Sequence, residues 1–74
     1  MFPGVQRPTK SRKVFGQKLR AMRILKNLSQ EKLAELAELH RTYIGQVERG
    51  DTNISIDNMH RLATALGCEL KEML

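Results

Sequence analysis

The sequence predicts an all-α domain of five short helices, and three features of the pattern support this class. Apolar residues recur at helical spacing in several stretches, no stretch alternates apolar and polar residues as a half-buried strand would, and serine or glycine lies at the ends of the stretches. With 74 residues, 41% hydrophobic and 28% charged, the chain has room for one small core. Its apolar runs are far shorter than a membrane span or a secretory signal, so we expect a soluble cytoplasmic protein.

The first helix follows an N-terminal arm. Both prolines fall within the first eight residues, and residues 1–13 show no apolar period, so we assign them to a flexible basic arm and residues 14–74 to the folded domain. From Val14 to Lys26 the apolar residues keep helical spacing. Asn27 then lies where a helix commonly ends on a left-handed residue. The first helix is therefore predicted from Val14 to Lys26.

Serine and glycine set the ends of the next three helices. Ser29 is the predicted N-cap of the second helix. The third helix is predicted from Arg41 to Arg49, with Gly50 at its end. Ser55 caps the fourth helix, which Gly67 ends. The apolar stripes of the second and fourth helices are predicted to face the core, and they consist of Leu33, Ala34, Leu36, Ala37, Ile56, Met59, Leu62, Ala63 and Leu66.

The charges are unevenly distributed along the chain. Residues 1–26 hold eight Lys or Arg and no acid, whereas residues 27–74 hold the other five bases and all eight acids. A basic end on a small domain suggests a polyanionic partner, and nucleic acid is the commonest such partner. Charge alone also fits a basic tail that serves only solubility.

The third helix has a polar face whose composition suits DNA. At about 100° per residue, Ile44 and Val47 fall on the side that would be anchored. Arg can read guanine and Gln can read adenine, so the opposite side is predicted to contact base edges. The base-reading residues predicted on that side are Arg41, Thr42 and Gln46. Gly45 within this face is predicted to leave room for close approach, and an ordinary solvated surface helix is the alternative.

Residues 28–67 carry four short motifs in a specific order. These are S-Q-E-x-L-A from Ser29, R-T-Y-I from Arg41, E-R-G from Glu48 and L-A-x-A-L-G from Leu62. Two short helices joined by a tight turn, the second with an exposed reading face, form a helix-turn-helix. The stretch resembles the Cro and phage-repressor (Xre) family of DNA-binding domains, which implies a compact lambda-repressor-like fold. Its H-R-T-Y-I-G and E-R-G-x-x-N-I-S segments are similar to the controller proteins of restriction-modification systems.

The resemblance implies roles for further residues. Gln30, at the start of the second helix, would bind a backbone phosphate, helped by free N–H groups there. Other residues implied to contact the DNA backbone are His40, Tyr43, Arg49, Asn53 and Ser55. Arg23 and Glu48 match a partly buried ion pair of the family. Helix capping by Gln30 and Ser55 and a half-buried place for Tyr43 are the structural alternatives.

Two positions depart from the family pattern. Glu38 lies in the turn where the family usually has Gly, and a left-handed Glu is unfavourable, so we expect a slightly different turn. His40 replaces the usual Ser or Thr N-cap of the third helix, and it suits a weak cap or a phosphate contact.

A short fifth helix is predicted from Glu69 to Leu74. Its apolar residues exceed what so small a core can use, and they are the predicted homodimer interface: Leu70, Met73 and Leu74. Met73 also fits a place in the core. A homodimer is expected because one recognition helix reads only a few base pairs, and two-fold symmetry doubles the footprint.

These inferences predict a DNA-binding regulator, with double-stranded DNA and a second copy of the chain as partners. No membrane or small-molecule partner is expected, and His40, His60 and Cys68 offer no zinc spacing, so neither a metal nor a cofactor is expected. An antitoxin or anti-repressor that binds mainly a protein is the second hypothesis, although it would not need the polar face of the third helix. An enzyme is the weakest, because no acid–base pair shares a cleft with a nucleophile.

Overall fold

The structure is a computed structural model that describes residues 10–74, which form four α-helices and one 3-10 turn. The helices are α1 (Lys10–Leu25), α2 (Gln30–Ala37), α3 (Arg41–Arg49) and α4 (Ile56–Leu66), and the 3-10 turn spans Leu70–Met73. This part of the chain contains no strand, which confirms the all-α class. The predicted fifth helix is a 3-10 turn and not an α-helix, so this prediction is wrong in the type of helix. The Glu72 N–H donates to the Glu69 carbonyl three residues earlier (3.0 Å), which is the 3-10 pattern.

Helix α1 begins at Lys10, four residues before the predicted start at Val14. The first turn carries no apolar residue, so periodicity could not detect it, but Lys and Arg are good helix formers. It is also held by packing, since the Cγ atom of Lys13 lies 3.0 Å from the position of a β-carbon on Gly50. Residues 10–13 therefore belong to the helix rather than to the arm. Residues 1–9 of the predicted arm lie outside the described part of the chain.

The predicted ends of the helices agree with the structure. The Ser29 hydroxyl accepts from the Lys32 N–H (2.9 Å), and the Ser55 hydroxyl accepts from the Asn58 N–H (3.1 Å). Four residues end helices in the left-handed conformation, and the residue type predicts three of them: Asn27 (φ 59°), Gly50 (φ 75°) and Gly67 (φ 73°). These local signals fix the starts of α2 and α4 and the ends of α1, α3 and α4 without reference to the rest of the molecule.

The turn between α2 and α3 keeps a left-handed residue even though that residue is Glu38. Its φ and ψ are 59° and 44°, which is the left-handed conformation. The expectation that Glu38 would give the turn a different shape is therefore wrong. A non-glycine residue is disfavoured there by about 1–2 kcal/mol. A local capping bond and a tertiary contact offset this cost, because the Leu39 N–H donates to the Ala34 carbonyl at the end of α2 (2.8 Å) and Leu39 packs against the core.

One apolar core joins all of the elements. Helix α3 packs against α1 and α2, α4 packs against α2, and the 3-10 turn contacts α1 and α4. The buried apolar residues are Phe15, Leu19, Leu33, Ala34, Ala37, Ile44, Val47, Leu62, Ala63, Leu66 and Met73. Two residues of the predicted stripes are exposed, Leu36 at 48% and Ile56 at 62%, whereas Met59 is partly buried against the core. The two exposed residues lie at the margin of a stripe, where spacing alone does not show how far a neighbouring helix reaches.

Met73 belongs to the core, and its prediction as a dimer-interface residue is wrong. It is 0% exposed, whereas Leu70 is partly buried and Leu74 is 63% exposed. The 3-10 turn points the Met73 side chain inward between α1 and α4, because a domain this small uses its last apolar residues to close its core. Of the three predicted interface residues, Leu74 keeps the most free apolar surface.

Helices α1 and α3 approach each other closely at Gly16. A β-carbon at this position would lie 2.6 Å from the carbonyl oxygen of Glu48, which is too close for any side chain. The close approach places the last turn of α3 beside α1. It thereby brings the charged groups of the two helices within hydrogen-bonding distance.

Candidate nucleic-acid interface

Helix α3 is anchored on one side by Ile44 and Val47, which are 0% and 2% exposed. On its other side, Arg41 and Thr42 are exposed and Gln46 is partly exposed. Within residues 10–74, none of these three side chains forms a hydrogen bond or ion pair with the protein. The three predicted base-reading groups therefore lie on one helix with their polar atoms available to an external partner.

A largely buried ion pair fixes α3 on the rest of the domain. The Nε atom of Arg23 donates to Oε2 of Glu48 (2.6 Å), and its Nη2 atom donates to Oε1 (3.2 Å). Nη1 of Arg23 donates to the Leu28 carbonyl (2.8 Å). The exposed fractions of the two side chains are only 12% and 5%. The fork of the guanidinium thus joins α1, the loop before α2 and the last turn of α3.

Gln30 joins the same network. Its Nε2 atom donates to Oε1 of Glu48 (3.0 Å), so the side chain extends from the start of α2 across α3. Ser29, rather than Gln30, is the N-cap of α2. The side chain of Gln30 is consequently oriented by α3, and its amide keeps one N–H that can donate to an external partner. Sequence reasoning missed the contact between Gln30 and Glu48, since nothing local indicates it.

The residues implied to form a second phosphate contact lie around the end of α3. Arg49 is exposed, and its Nε atom donates to Oδ2 of Asp51 (2.8 Å). Asn53 is exposed in the loop before α4. The Ser55 hydroxyl accepts from the Asn58 N–H, so Ser55 serves as a cap while its own O–H can still donate. The sequence places Asp51 only at the end of α3, beside Gly50, and the ion pair between Asp51 and Arg49 is seen only in the structure.

Tyr43 and His40 lie on the flanks of α3. Tyr43 is half-buried against the core, and its hydroxyl oxygen accepts from Nδ2 of Asn58 (3.1 Å). This is the half-buried place that the sequence left open for it. His40 occupies the N-cap position of α3 without a side-chain cap hydrogen bond, and its side chain is exposed.

Gly45 is not part of the exposed face of α3, and the expectation that it leaves room for DNA to approach is wrong. The residue is buried. A β-carbon there would lie 3.3 Å from Nη1 of Arg49 and 3.7 Å from Oε1 of Gln30. The space above Gly45 is filled by side chains of the protein itself, which an analysis of α3 alone could not show because Gln30 comes from α2.

Residues 10–74 contain neither a cluster of metal-ligating side chains nor a thiol whose pKa is lowered. Among residues 10–74, no three His, Cys, Asp or Glu side chains come together as metal ligands. Burial, with a smaller effect from the Glu72 carboxylate, raises the pKa of the Cys68 thiol and keeps it protonated near neutral pH. Cys68 packs against the core. None of the helices described is long and apolar enough to span a bilayer.

The family model, the related sequences and the solved structures that match this chain agree on one family. The helix-turn-helix family matches residues 19–73. The control protein C.BamHI of Bacillus amyloliquefaciens is 52% identical over 64 residues, which cover 85% of this chain and 79% of that protein. The crystal structure of the restriction-modification controller protein C.AhdI of Aeromonas hydrophila is 48% identical with a TM-score of 0.88, covering 89% and 100% of the two chains. The biofilm regulator SinR, solved in complex with DNA, is 28% identical with a TM-score of 0.76, covering 80% and 95%.

Proposed function

This chain belongs to the helix-turn-helix family, and we propose that it is a transcriptional regulator that binds double-stranded DNA in a sequence-specific manner. The observation that carries the proposal is the polar face of α3, where Arg41, Thr42 and Gln46 are accessible without a partner in the described part of the chain. Arg and Gln can each form two hydrogen bonds with a base edge in the major groove. The buried ion pair between Arg23 and Glu48 holds this helix rigidly, as direct readout requires.

The backbone contacts are supplied by the surroundings of α3. Gln30, His40, Arg49, Asn53 and Ser55 flank the reading face and would bind phosphates, with Tyr43 packing at the sugar-phosphate edge. Helix α1 adds a further five basic side chains, which are Lys10, Arg12, Lys13, Lys18 and Arg20. The similarity to control proteins supports a regulator of a restriction-modification operon that controls its own expression.

Binding to a specific duplex should depend steeply on salt. Phosphate contacts release counterions, so we expect the affinity to fall by at least about tenfold between about 50 and 200 mM salt. Fluorescence anisotropy with a labelled operator and a scrambled duplex would measure both affinities across this range. A flat salt response, or equal affinity for the two duplexes, contradicts the proposal. Binding to a protein with no preference for DNA would favour the antitoxin or anti-repressor alternative.

The regulator is proposed to act as a two-fold symmetric homodimer. Two recognition helices about 34–36 Å apart would read a pseudo-palindromic operator. Leu74, which is exposed, and Leu70, which is partly buried, supply the apolar surface for this contact. No catalytic role is proposed, since the exposed groups of α3 are suited to hydrogen bonding rather than to acid–base chemistry.

Leu74→Asp is therefore expected to shift the protein from dimer to monomer without unfolding it, because Leu74 is 63% exposed. Sedimentation equilibrium of wild type and variant measures the change. Leu25→Asp is the matched control, since Leu25 is 77% exposed at the C-terminal end of α1 and is not part of the proposed interface. The Leu25→Asp variant should remain a dimer. A wild-type protein that stays monomeric at high micromolar concentration, with and without DNA, contradicts the dimer.

A further inference from the structure

Tyr43 forms one side-chain hydrogen bond within the described residues, and its partner is the side chain of Asn58. The Nδ2 atom of Asn58 donates to the phenol oxygen of Tyr43 (3.1 Å), and both residues are partly buried. Helix α3 packs mainly against α1 and α2, and within residues 10–74 this is the only side-chain hydrogen bond that joins α3 to α4. The Tyr43 ring also packs against the core. The phenol oxygen is therefore held between the flank of α3 and the start of α4.

Asn58 approaches Tyr43 from a fixed position. Its backbone N–H donates to the hydroxyl of Ser55 (3.1 Å), which is the N-cap of α4, so Asn58 lies in the first turn of that helix. The Asn58 side chain forms no other hydrogen bond within residues 10–74. The Asn58 amide thus has one partner in this part of the chain, and that partner is the Tyr43 hydroxyl.

The direction of this bond determines what the phenol can do. A phenol carries one proton to donate, and a hydrogen bond that its oxygen accepts leaves that proton free. Because Asn58 donates, the O–H of Tyr43 has no acceptor within the described residues. An Asn58 amide turned by 180° would present its oxygen instead and would take the phenol proton. The amide orientation in the structure therefore makes Tyr43 a hydrogen-bond donor for an external acceptor.

We propose that Asn58 is a positioning residue for DNA binding, which orients the Tyr43 hydroxyl to donate to a phosphate oxygen. This inference rests on the proposed function and adds to it the residue that sets the role of Tyr43. A phosphate is the expected acceptor because an anionic oxygen only accepts hydrogen bonds and forms strong ones. Tyr43 also lies on the flank of α3, and Ser55, a proposed phosphate contact, caps the same turn that holds Asn58.

Tyr43→Phe tests whether the hydroxyl contacts DNA, because the ring and its packing remain. We expect binding to weaken about tenfold, as for the loss of one hydrogen bond to a charged group. The loss should be the same on a preferred duplex and on its single-base variants, since a phosphate contact carries no base preference. Unchanged affinity, or a loss confined to one base pair, overturns the proposal.

Asn58→Asp tests whether the amide sets the role of the hydroxyl. The two side chains have nearly the same shape, and an acid in the first turn of α4 is favourable, so the variant should stay folded. A carboxylate only accepts, so Tyr43 must donate to it and loses the proton that a phosphate would receive. In the Asn58→Asp background, Tyr43→Phe should therefore weaken binding less than about twofold further. If the full loss persists there, the hydroxyl acts independently of Asn58 and the proposal is wrong.

This comparison cancels the effect of the added charge on DNA binding, because both proteins carry Asn58→Asp. Measurements at low salt keep the weaker complexes detectable.

The absorbance of the free protein adds a readout that a purely structural role would not move. The chain has one tyrosine and no tryptophan, so its tyrosine band reports Tyr43 alone. A phenol that donates a hydrogen bond absorbs at longer wavelength than one that accepts, so Asn58→Asp should shift the band to longer wavelength. An unshifted band would show that Tyr43 already donates to Asn58 in the wild type, which overturns the proposal. A wild-type protein that binds no duplex with preference would instead refute the proposed function, so the two failures are distinguishable.

Discussion

Glu48→Ala is expected to destabilise the domain by about 3 kcal/mol or more, because it leaves the Arg23 guanidinium unpaired in a nearly buried site. The side chain of Arg23 is only 12% exposed, so water cannot fully replace the lost carboxylate. The Gln30 amide loses its acceptor at the same time. A domain of this size has a free energy of unfolding of about 4–11 kcal/mol in total, so the variant should be close to unfolding at physiological temperature.

Guanidinium unfolding followed by far-UV circular dichroism is the appropriate measurement, since the chain has no tryptophan. Glu35→Ala is the matched control, because its ion pair with Lys32 (3.1 Å) is 56% and 71% exposed and should contribute less than about 0.5 kcal/mol. The double variant Arg23→Met with Glu48→Leu should recover most of the lost stability, since no charge remains unpaired. Equal unfolding midpoints for Glu48→Ala and Glu35→Ala would refute the structural role of the buried pair.

Arg41→Ala and Gln46→Ala are expected to abolish discrimination at single base pairs while leaving the fold intact. Each side chain projects from the side of α3 opposite Ile44 and Val47. Because neither is bonded within the described residues, its removal costs little stability. Each lost base contact should weaken binding by about 1–3 kcal/mol on the preferred duplex and by little on the duplex altered at that base pair.

The contrast with Gln30→Ala identifies the kind of contact. Gln30→Ala should weaken binding to all duplexes by a similar factor, since it removes the proposed phosphate contact. Arg61→Ala controls for the loss of a positive charge, because Arg61 is an exposed arginine on α4. It should change neither the affinity nor the base preference by much. If Arg41→Ala lowers affinity equally on every duplex, Arg41 binds a phosphate and the assignment of base reading to it is wrong.

The starts of α2 and α4 and the ends of α3 and α4 are predictable because each is set by a local signal. Ser29 and Ser55 offer hydroxyls to free N–H groups, and Gly50 and Gly67 accept a left-handed backbone. The helical spacing of Ile44 and Val47 also predicts which side of α3 is buried. The pairing of Arg23 with Glu48 follows from resemblance rather than from any local pattern, since the residues are 25 positions apart.

The features that sequence reasoning misses depend on neighbours distant in the chain. Lys10 begins α1 because packing of Lys13 against Gly50 extends a helix whose first turn has no apolar signal. Glu38 remains left-handed because the packing of Leu39 outweighs its backbone preference. The burial of Gly45 depends on a side chain from α2, which no helical projection of α3 contains.

Selection of bound duplexes from a random DNA pool tests the central claim most directly. The exposed face of α3 and the proposed two-fold dimer predict enrichment of one pseudo-palindromic site, with half-site centres about 10 base pairs apart. Arg41→Ala and Gln46→Ala should each relax the preference at symmetric positions within this site. A folded wild-type protein that enriches no sequence after repeated rounds would contradict the assignment of this domain as a sequence-specific DNA-binding regulator.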